Sequence, residues 1–164
     1  MKKIITLVLI LLLLCGCQNK GQKKADSNDR YLSIIDNIFT HNDFGNSSNY
    51  FDINAEVAKI DDGYRFYVTI DNPRNALYDV EALAVEQDVD YSTTMAANIG
   101  IFEESEYCLI PNQTNPNRGY VEGIVISGVS ANPVIALYVF VSFKNEDRSL
   151  TRYEYIKLDA AYQD

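Results

Sequence analysis

The side chains that could serve as a nucleophile or a general base are few in this chain. His41 is the only histidine, and the glycine-flanked serine of many hydrolases is missing. A serine or cysteine nucleophile would therefore depend on this one imidazole as its base. Cys108 lies in an apolar run, Tyr107–Ile110, which favours a buried core residue over an activated thiol. These residue types predict a protein that is not an enzyme.

Carboxylates are the abundant chemical groups, and they concentrate in two stretches. Asp88 and Asp90 have the spacing of half a calcium loop, but the glycine and the distal glutamate of an EF-hand are missing. Glu103, Glu104 and Glu106 form a second cluster. Acidic loops that bind a divalent cation or a small ligand are therefore the alternative hypothesis, and a hydrolase with paired carboxylates is a third.

Other cofactor sites lack their ligands. One histidine and one internal cysteine do not make a zinc site, and neither usual glycine-rich phosphate loop occurs. The sequence therefore predicts no metal and no cofactor.

The N-terminal stretch has the layout of a secretory signal peptide. Lys2 and Lys3 precede an apolar run, Ile4–Leu14, whose eleven residues contain one polar side chain. A membrane-spanning helix needs about 20 apolar residues, so this run is too short to cross the hydrocarbon core. A basic start, a short apolar run and then small residues are typical of a signal peptide.

The end of this run is more specific. Leu14-Cys15-Gly16-Cys17 resembles the lipobox of bacterial lipoproteins: an aliphatic residue, a tolerant position, a small residue and the modified cysteine. The resemblance implies that residues 1–16 are removed by cleavage between Gly16 and Cys17, and that the Cys17 sulfur carries a diacylglycerol. It implies a lipid-anchored protein on the extracytoplasmic face of the cell membrane.

Lipidation would hold the chain firmly at the membrane. Two acyl chains with roughly 30 methylenes, at ~0.8 kcal/mol each, contribute on the order of 20 kcal/mol. An ordinary cleaved signal peptide and an uncleaved anchor are the alternatives, and both leave the Gly16-Cys17 ending unexplained. The polar residues 17–28 predict a flexible tether with a typical span of ~20 Å, which would join the membrane to a single domain over residues 29–164.

The net charge of the chain limits the classes of partner that it could bind. The full chain has a net charge of −9, and the part from Ser27 onward holds 22 acidic and 9 basic residues, a net charge of −13. A domain this acidic argues against nucleic acid and against contact with anionic lipid over its surface. The sequence thus favours a protein partner of unspecified identity.

The period of the apolar residues predicts one helix followed by strands. Between Arg30 and Thr40 the apolar residues have helical spacing, and Ser27 or Asn28 is a suitable N-cap. From Phe51 onward the period becomes two, and two alternating runs flank Asp61-Asp62-Gly63 as in a β-hairpin. About eight strands follow with short turns, which predicts a mainly β, antiparallel sandwich or barrel with one short N-terminal helix; of the two, the sandwich is the predicted fold.

The last two strands allow a register to be predicted. Val134–Phe143 is the most apolar segment of the domain and is expected to pair with Thr151–Leu158. Pairing Phe143 with Thr151 places two valines of the first strand opposite two tyrosines of the second. A shift of one residue would instead place charged residues on the inner face.

Two further features concern the outer surfaces. From Asn115 onward, the run Gly119–Val125 followed by a loop and a long apolar strand resembles the last strands of immunoglobulin-like domains in Gram-positive surface lipoproteins, over about a third of the chain. Tyr67, Tyr138 and Phe140 are candidates for an exposed aromatic partner surface. The competing and favoured interpretation is that the N-terminal helix covers the face that carries Tyr138 and Phe140.

Overall fold

The computed structural model describes residues 20–163, which form one α-helix, nine strands and a short 3-10 helix, Pro116–Arg118. In chain order these are α1 (Lys20–Thr40), β1 (Asp52–Ile60), β2 (Gly63–Asp71), β3 (Tyr78–Glu86), β4 (Ala97–Ile99), β5 (Cys108–Leu109), β6 (Tyr120–Val121), β7 (Gly123–Ser130), β8 (Val134–Lys144) and β9 (Thr151–Ala161).

The strands build an antiparallel β-sandwich, which confirms the predicted fold class. One sheet has the order β1-β2-β7, and the other has the order β4-β3-β8-β9. β5 and β6 form a small parallel ladder beside them. The predicted hairpin is present, with Ile60 of β1 paired to Gly63 of β2.

The hydrophobic core lies between the two sheets, because each strand turns alternate residues inward. The centre of this core consists of residues from β2 of one sheet and β8 of the other: Phe66, Val68, Ile70, Leu137, Val139 and Val141. All are at most 2% exposed.

The four-stranded sheet is the middle of three layers, since α1 packs on its outer face. Its strands are therefore apolar on both faces, as the buried run Ala82–Val85 of β3 shows. Ala82 and Ala84 face the sandwich core, whereas Leu83 and Val85 pack with the helix. A strand covered on both faces cannot alternate apolar and polar residues, which explains the unbroken apolar runs in β3 and β8.

The helix buries the predicted face but begins earlier than predicted. Tyr31, Ile34 and Ile38 are buried against the sheet, and the Tyr31 hydroxyl accepts a 2.8 Å hydrogen bond from the Ala96 amide. The helix starts at Lys20, so Ser27 and Asn28 lie within it rather than capping it. Five of the residues from Lys20 to Asn28 are lysine, glutamine or alanine, which are good helix formers.

The register predicted for β8 and β9 is wrong by one residue. Thr151 pairs with Lys144, and Phe143 pairs with Arg152. The loop sets this register, because two hydrogen bonds join Asn145 at its start to Leu150 at its end. The Asn145 amide donates to the Leu150 carbonyl, and the Asn145 Oδ1 accepts from the Leu150 amide at 3.0 Å.

This register turns the tyrosines of β9 toward the helix side. Tyr155 lies opposite Phe140, and Tyr153 lies opposite Ser142. Arg152 then falls on the core-side face, where its guanidinium lies 5.4 Å from the centre of the Tyr50 ring. Arg152 is also exposed, so its charge stays in contact with water on a face that the sequence pattern predicted to be free of charge.

The chain order of the main strands matches that of immunoglobulin-type sandwiches. β1, β2 and β7 occupy the positions of strands A, B and E, and β3, β8 and β9 those of strands C, F and G. The structure shows this strand order. That the domain is immunoglobulin-like stays a prediction.

One ion pair ties the helix to the sheet. The Arg30 guanidinium donates to Glu81 Oε2 at 2.6 Å, and the Ser142 hydroxyl donates to the same oxygen at 2.9 Å. The Arg30 and Glu81 side chains are 34% and 25% exposed, so this pair lies between a surface pair and a buried one.

Replacing Arg30 by glutamine should therefore destabilise the domain by about 1–2 kcal/mol, since exposed pairs contribute about 0–1 and breaking buried pairs costs about 3–5. Chemical denaturation measures this change. Arg74→Gln is the matched control, because the Arg74–Asp52 pair is about half exposed on both sides, and it should cost less than about 0.5 kcal/mol. Equal effects of the two substitutions would contradict the role assigned to Arg30.

Candidate functional site

The three-stranded sheet has an exposed outer face, which carries one of the three aromatic residues predicted for a partner surface. Tyr67 lies at its centre, between Glu56 of β1 and Ser127 of β7, and is 36% exposed. Val125 and Val129 of β7 flank it with 53% and 59% of their surface exposed. Exposed β-branched and aromatic side chains in one strip are typical of a surface that meets another protein.

Tyr138 and Phe140 do not join this surface. Both belong to the other sheet, where Phe140 is 1% exposed beneath α1 and Tyr138 stacks on Phe44 with ring centres 4.5 Å apart. Phe140 thus packs beneath α1, whereas Tyr138 is half-buried against Phe44 of the loop that follows the helix, and neither lies on the sheet that carries Tyr67.

The outer edge of β7 is the second component of the site. β7 ends the order β1-β2-β7, and no described residue forms a backbone ladder along its free side. Its eight residues include no charge and no proline, which are the usual means of protecting an edge strand.

Of the other sheet edges, two are covered in part and one is short. A bridge between Val57 and Tyr162 covers part of the β1 edge. Gly45 covers part of β9 through hydrogen bonds of 2.9 Å and 2.8 Å to Tyr155 and Lys157. β4 is only three residues long. β1 and β9 also carry charged residues along their length, whereas β7 carries none, and β4 lies close to β7 without pairing with it. β7 is therefore the edge that its sequence protects least against pairing with a further strand.

A cleft of about 560 Å³ adjoins the start of β7. It lies between the β2–β3 connection and the loop that follows β5, and its lining residues are Asn72, Pro73, Ile110, Pro111, Asn112, Gln113, Thr114 and Glu122. The carboxamides among them supply donors and acceptors together, which suits the peptide groups of an extended chain.

Acidic side chains gather where this cleft meets the strand. Asp71 pairs with Gly123 across the sheet, and a Cβ on Gly123 would lie only 3.0 Å from the Asp71 Cβ. Glu122 precedes Gly123 directly and accepts a 3.3 Å hydrogen bond from the Thr114 hydroxyl. The amino end of β7 therefore carries two carboxylates, which would attract a basic group.

The two acidic loops considered for a cation are engaged locally. Asp90 accepts hydrogen bonds from the Ser92 amide and hydroxyl at 2.8 Å, and these bonds hold the pKa of its carboxyl below the usual value. Glu106 forms an ion pair with Arg148 at 2.8 Å. Within residues 20–163, no three histidine, cysteine, aspartate or glutamate side chains are grouped so that they could hold a metal ion.

The residues first considered for catalysis lie apart from this site. His41 stacks on Tyr155 with ring centres 3.8 Å apart, and its Nε2 lies 2.9 Å from the Asp43 carbonyl oxygen. Cys108 is 1% exposed, which confirms its prediction as a core residue, and its burial raises the pKa of the thiol. A neutral buried thiol is a poor nucleophile.

Gly16 and Cys17 lie outside the described residues. In the part of the chain that the structure does describe, no helix is both long and apolar enough to cross a membrane.

The β7 edge and its cleft could not be found from the sequence pattern. The run Tyr120–Ser127 predicts a strand, but only the sheet order shows that this strand has a free side. The cleft joins residues from two loops that are about 40 positions apart in the chain.

Comparisons with protein-family models, with curated proteins and with solved structures found no match for this chain.

Proposed function

We propose that this chain is a lipid-anchored, extracytoplasmic binding protein without enzymatic activity. The observation that carries the anchor is the sequence Leu14-Cys15-Gly16-Cys17 after a short apolar run with a basic start. The β-sandwich is the part that binds, and it holds a protein partner close to the membrane surface.

The surface of the sandwich supports the binding role. The exposed strip of Tyr67, Val125 and Val129 borders a free strand edge, and such edges and apolar strips are common protein-recognition elements. The net charge of −13 from Ser27 onward favours a partner that is neutral or basic.

The anchor is tested by fractionating cells that express the full chain with Cys17→Ala. The proposal predicts that the wild-type protein sediments with membranes and resists extraction with salt, because roughly 30 buried methylenes hold it there. Loss of lipidation should prevent stable retention through Cys17, with the protein either released or left as an uncleaved precursor.

Cys15→Ala is the matched control, because it changes a cysteine two positions away at the tolerant position of the motif. It should keep the wild-type distribution and the lipid. A Cys17→Ala protein that is processed and retained like the wild type would contradict the lipid anchor.

A further inference from the structure

β7 ends its sheet with an edge that no described residue pairs, and a cleft adjoins its amino end at Glu122. We propose that an extended segment of another exported protein adds to the β7 edge as an extra strand, with a basic residue at the acidic end of β7. This inference names the partner class for the proposed binding role, and it does not depend on the lipid anchor.

Backbone pairing is the first reason for this choice. Along the free side of β7, alternate residues present peptide groups that no described residue pairs. An added strand would satisfy these groups, and its own side chains would alternate between the two faces of the sheet.

Side-chain contacts would then favour particular residues in the segment. Those on the outer face would meet Val125 and Val129, so β-branched or apolar residues at alternate positions are expected.

The negative charge of the domain favours a segment of another protein over a second copy of this chain. Asp71 and Glu122 lie at the amino end of β7, while β7 itself is uncharged. A second copy would bring another domain of net charge −13 against the first. A segment with lysine or arginine at one end would meet both acids.

The cleft extends the site beyond the strand. Asn112 and Gln113 line it next to Glu122, and their carboxamides can pair with the peptide groups of a segment that runs past Gly123. Ile110 and the two prolines of the lining provide apolar contact. The predicted ligand therefore spans about nine or more residues, a little more than the length of β7.

The test titrates the full mature chain in detergent with a fluorescent probe peptide, Lys-Thr-Val-Thr-Val-Thr-Val-Thr-Lys. The same peptide with glutamate at both ends tests charge, and a version that is N-methylated at alternate residues tests backbone pairing. We expect the glutamate-ended and N-methylated peptides to bind at least tenfold more weakly than the lysine-ended one.

Val125→Lys should lower the affinity for the lysine-ended peptide at least tenfold. Asn54→Lys is the matched control, because Asn54, Thr69 and Val125 share one row across the sheet, and Asn54 lies on the far strand. It adds the same charge to the same face and should change the affinity less than twofold. Hydrogen exchange should show new protection at alternate amides of β7.

Three results would overturn the proposal. The first is that the lysine-ended peptide does not bind at millimolar concentration. The second is that Val125→Lys leaves the affinity for this peptide unchanged, and the third is that the N-methylated peptide binds equally well. A dimer that forms with rising concentration and is lost in Val125→Lys would assign the edge to a second copy instead. Failure of the membrane fractionation would leave this titration unchanged, so the two proposals fail separately.

Discussion

Replacing Phe140 by alanine is expected to destabilise the domain by about 3–5 kcal/mol, the usual cost of removing a buried phenylalanine ring. Phe140 is 1% exposed and lies between α1 and the four-stranded sheet. Its ring packs near Tyr155 at 5.4 Å between centres, and the Arg30 guanidinium lies 5.7 Å from its centre. Removing the ring would leave a cavity that these neighbours can fill only partly. Equilibrium unfolding in urea measures the change.

Tyr67→Thr is the control for this prediction, because Tyr67 was the other aromatic candidate and lies on an exposed strand face. Threonine keeps the strand preference, so the expected cost is within about 1 kcal/mol. If Phe140→Ala also cost less than about 1 kcal/mol, the helix would not cover this face, and Phe140 would be a surface residue after all.

The second large effect concerns Gly128, which lies directly across the β2–β7 pair from Phe66. A Cβ on Gly128 would lie 2.6 Å from Cε1 of the Phe66 ring and would also overlap its Cζ. Because Phe66 is 2% exposed, the ring has no free space to occupy. Gly128→Ala should therefore cost about 1–3 kcal/mol, although alanine is normally the better residue in a strand by about 0.5–1 kcal/mol.

A double-mutant cycle isolates this contact. In a Phe66→Leu background the ring atoms that meet the new methyl group are gone, so Gly128→Ala should be neutral or slightly stabilising there. Denaturant unfolding of the four proteins gives the coupling energy. An equal cost of Gly128→Ala in both backgrounds would mean that the ring does not rest on Gly128.

Local periodicity predicted the elements of this fold better than their pairing. The alternation around Asp61-Asp62-Gly63 predicted the hairpin, because a two-residue period and a glycine-containing turn are local properties. The β8–β9 register depended on the hydrogen bonds that Asn145 makes across its loop, which no pattern of apolar residues reveals. Both faces of β9 carry aromatic or apolar residues, so the pattern alone could not select the face.

The start of α1 shows a second limit of sequence patterns. The apolar face begins at Tyr31, and the prediction placed the helix start beside it. The helix runs back to Lys20, which an apolar pattern cannot reveal because the residues before Tyr31 form no apolar face.

The candidate site was the least predictable part of the molecule. Tyr67 was identified from its place on the polar side of a strand, but Val125 and Val129 belong to the site only because β7 ends a sheet. An edge strand and a central strand can have the same composition, and the difference between them is set by the order in which distant strands meet.

The most direct test of the lipid-anchored binding protein is the intact mass of the mature chain purified from the membrane fraction. We expect a chain that begins at Cys17 and carries a diacylglycerol on that residue, and a Cys17→Ala protein that lacks this mass. A wild-type chain that begins at another residue, or that begins at Cys17 without lipid, would contradict the anchor and would make this a secreted domain whose partner need not lie at the membrane.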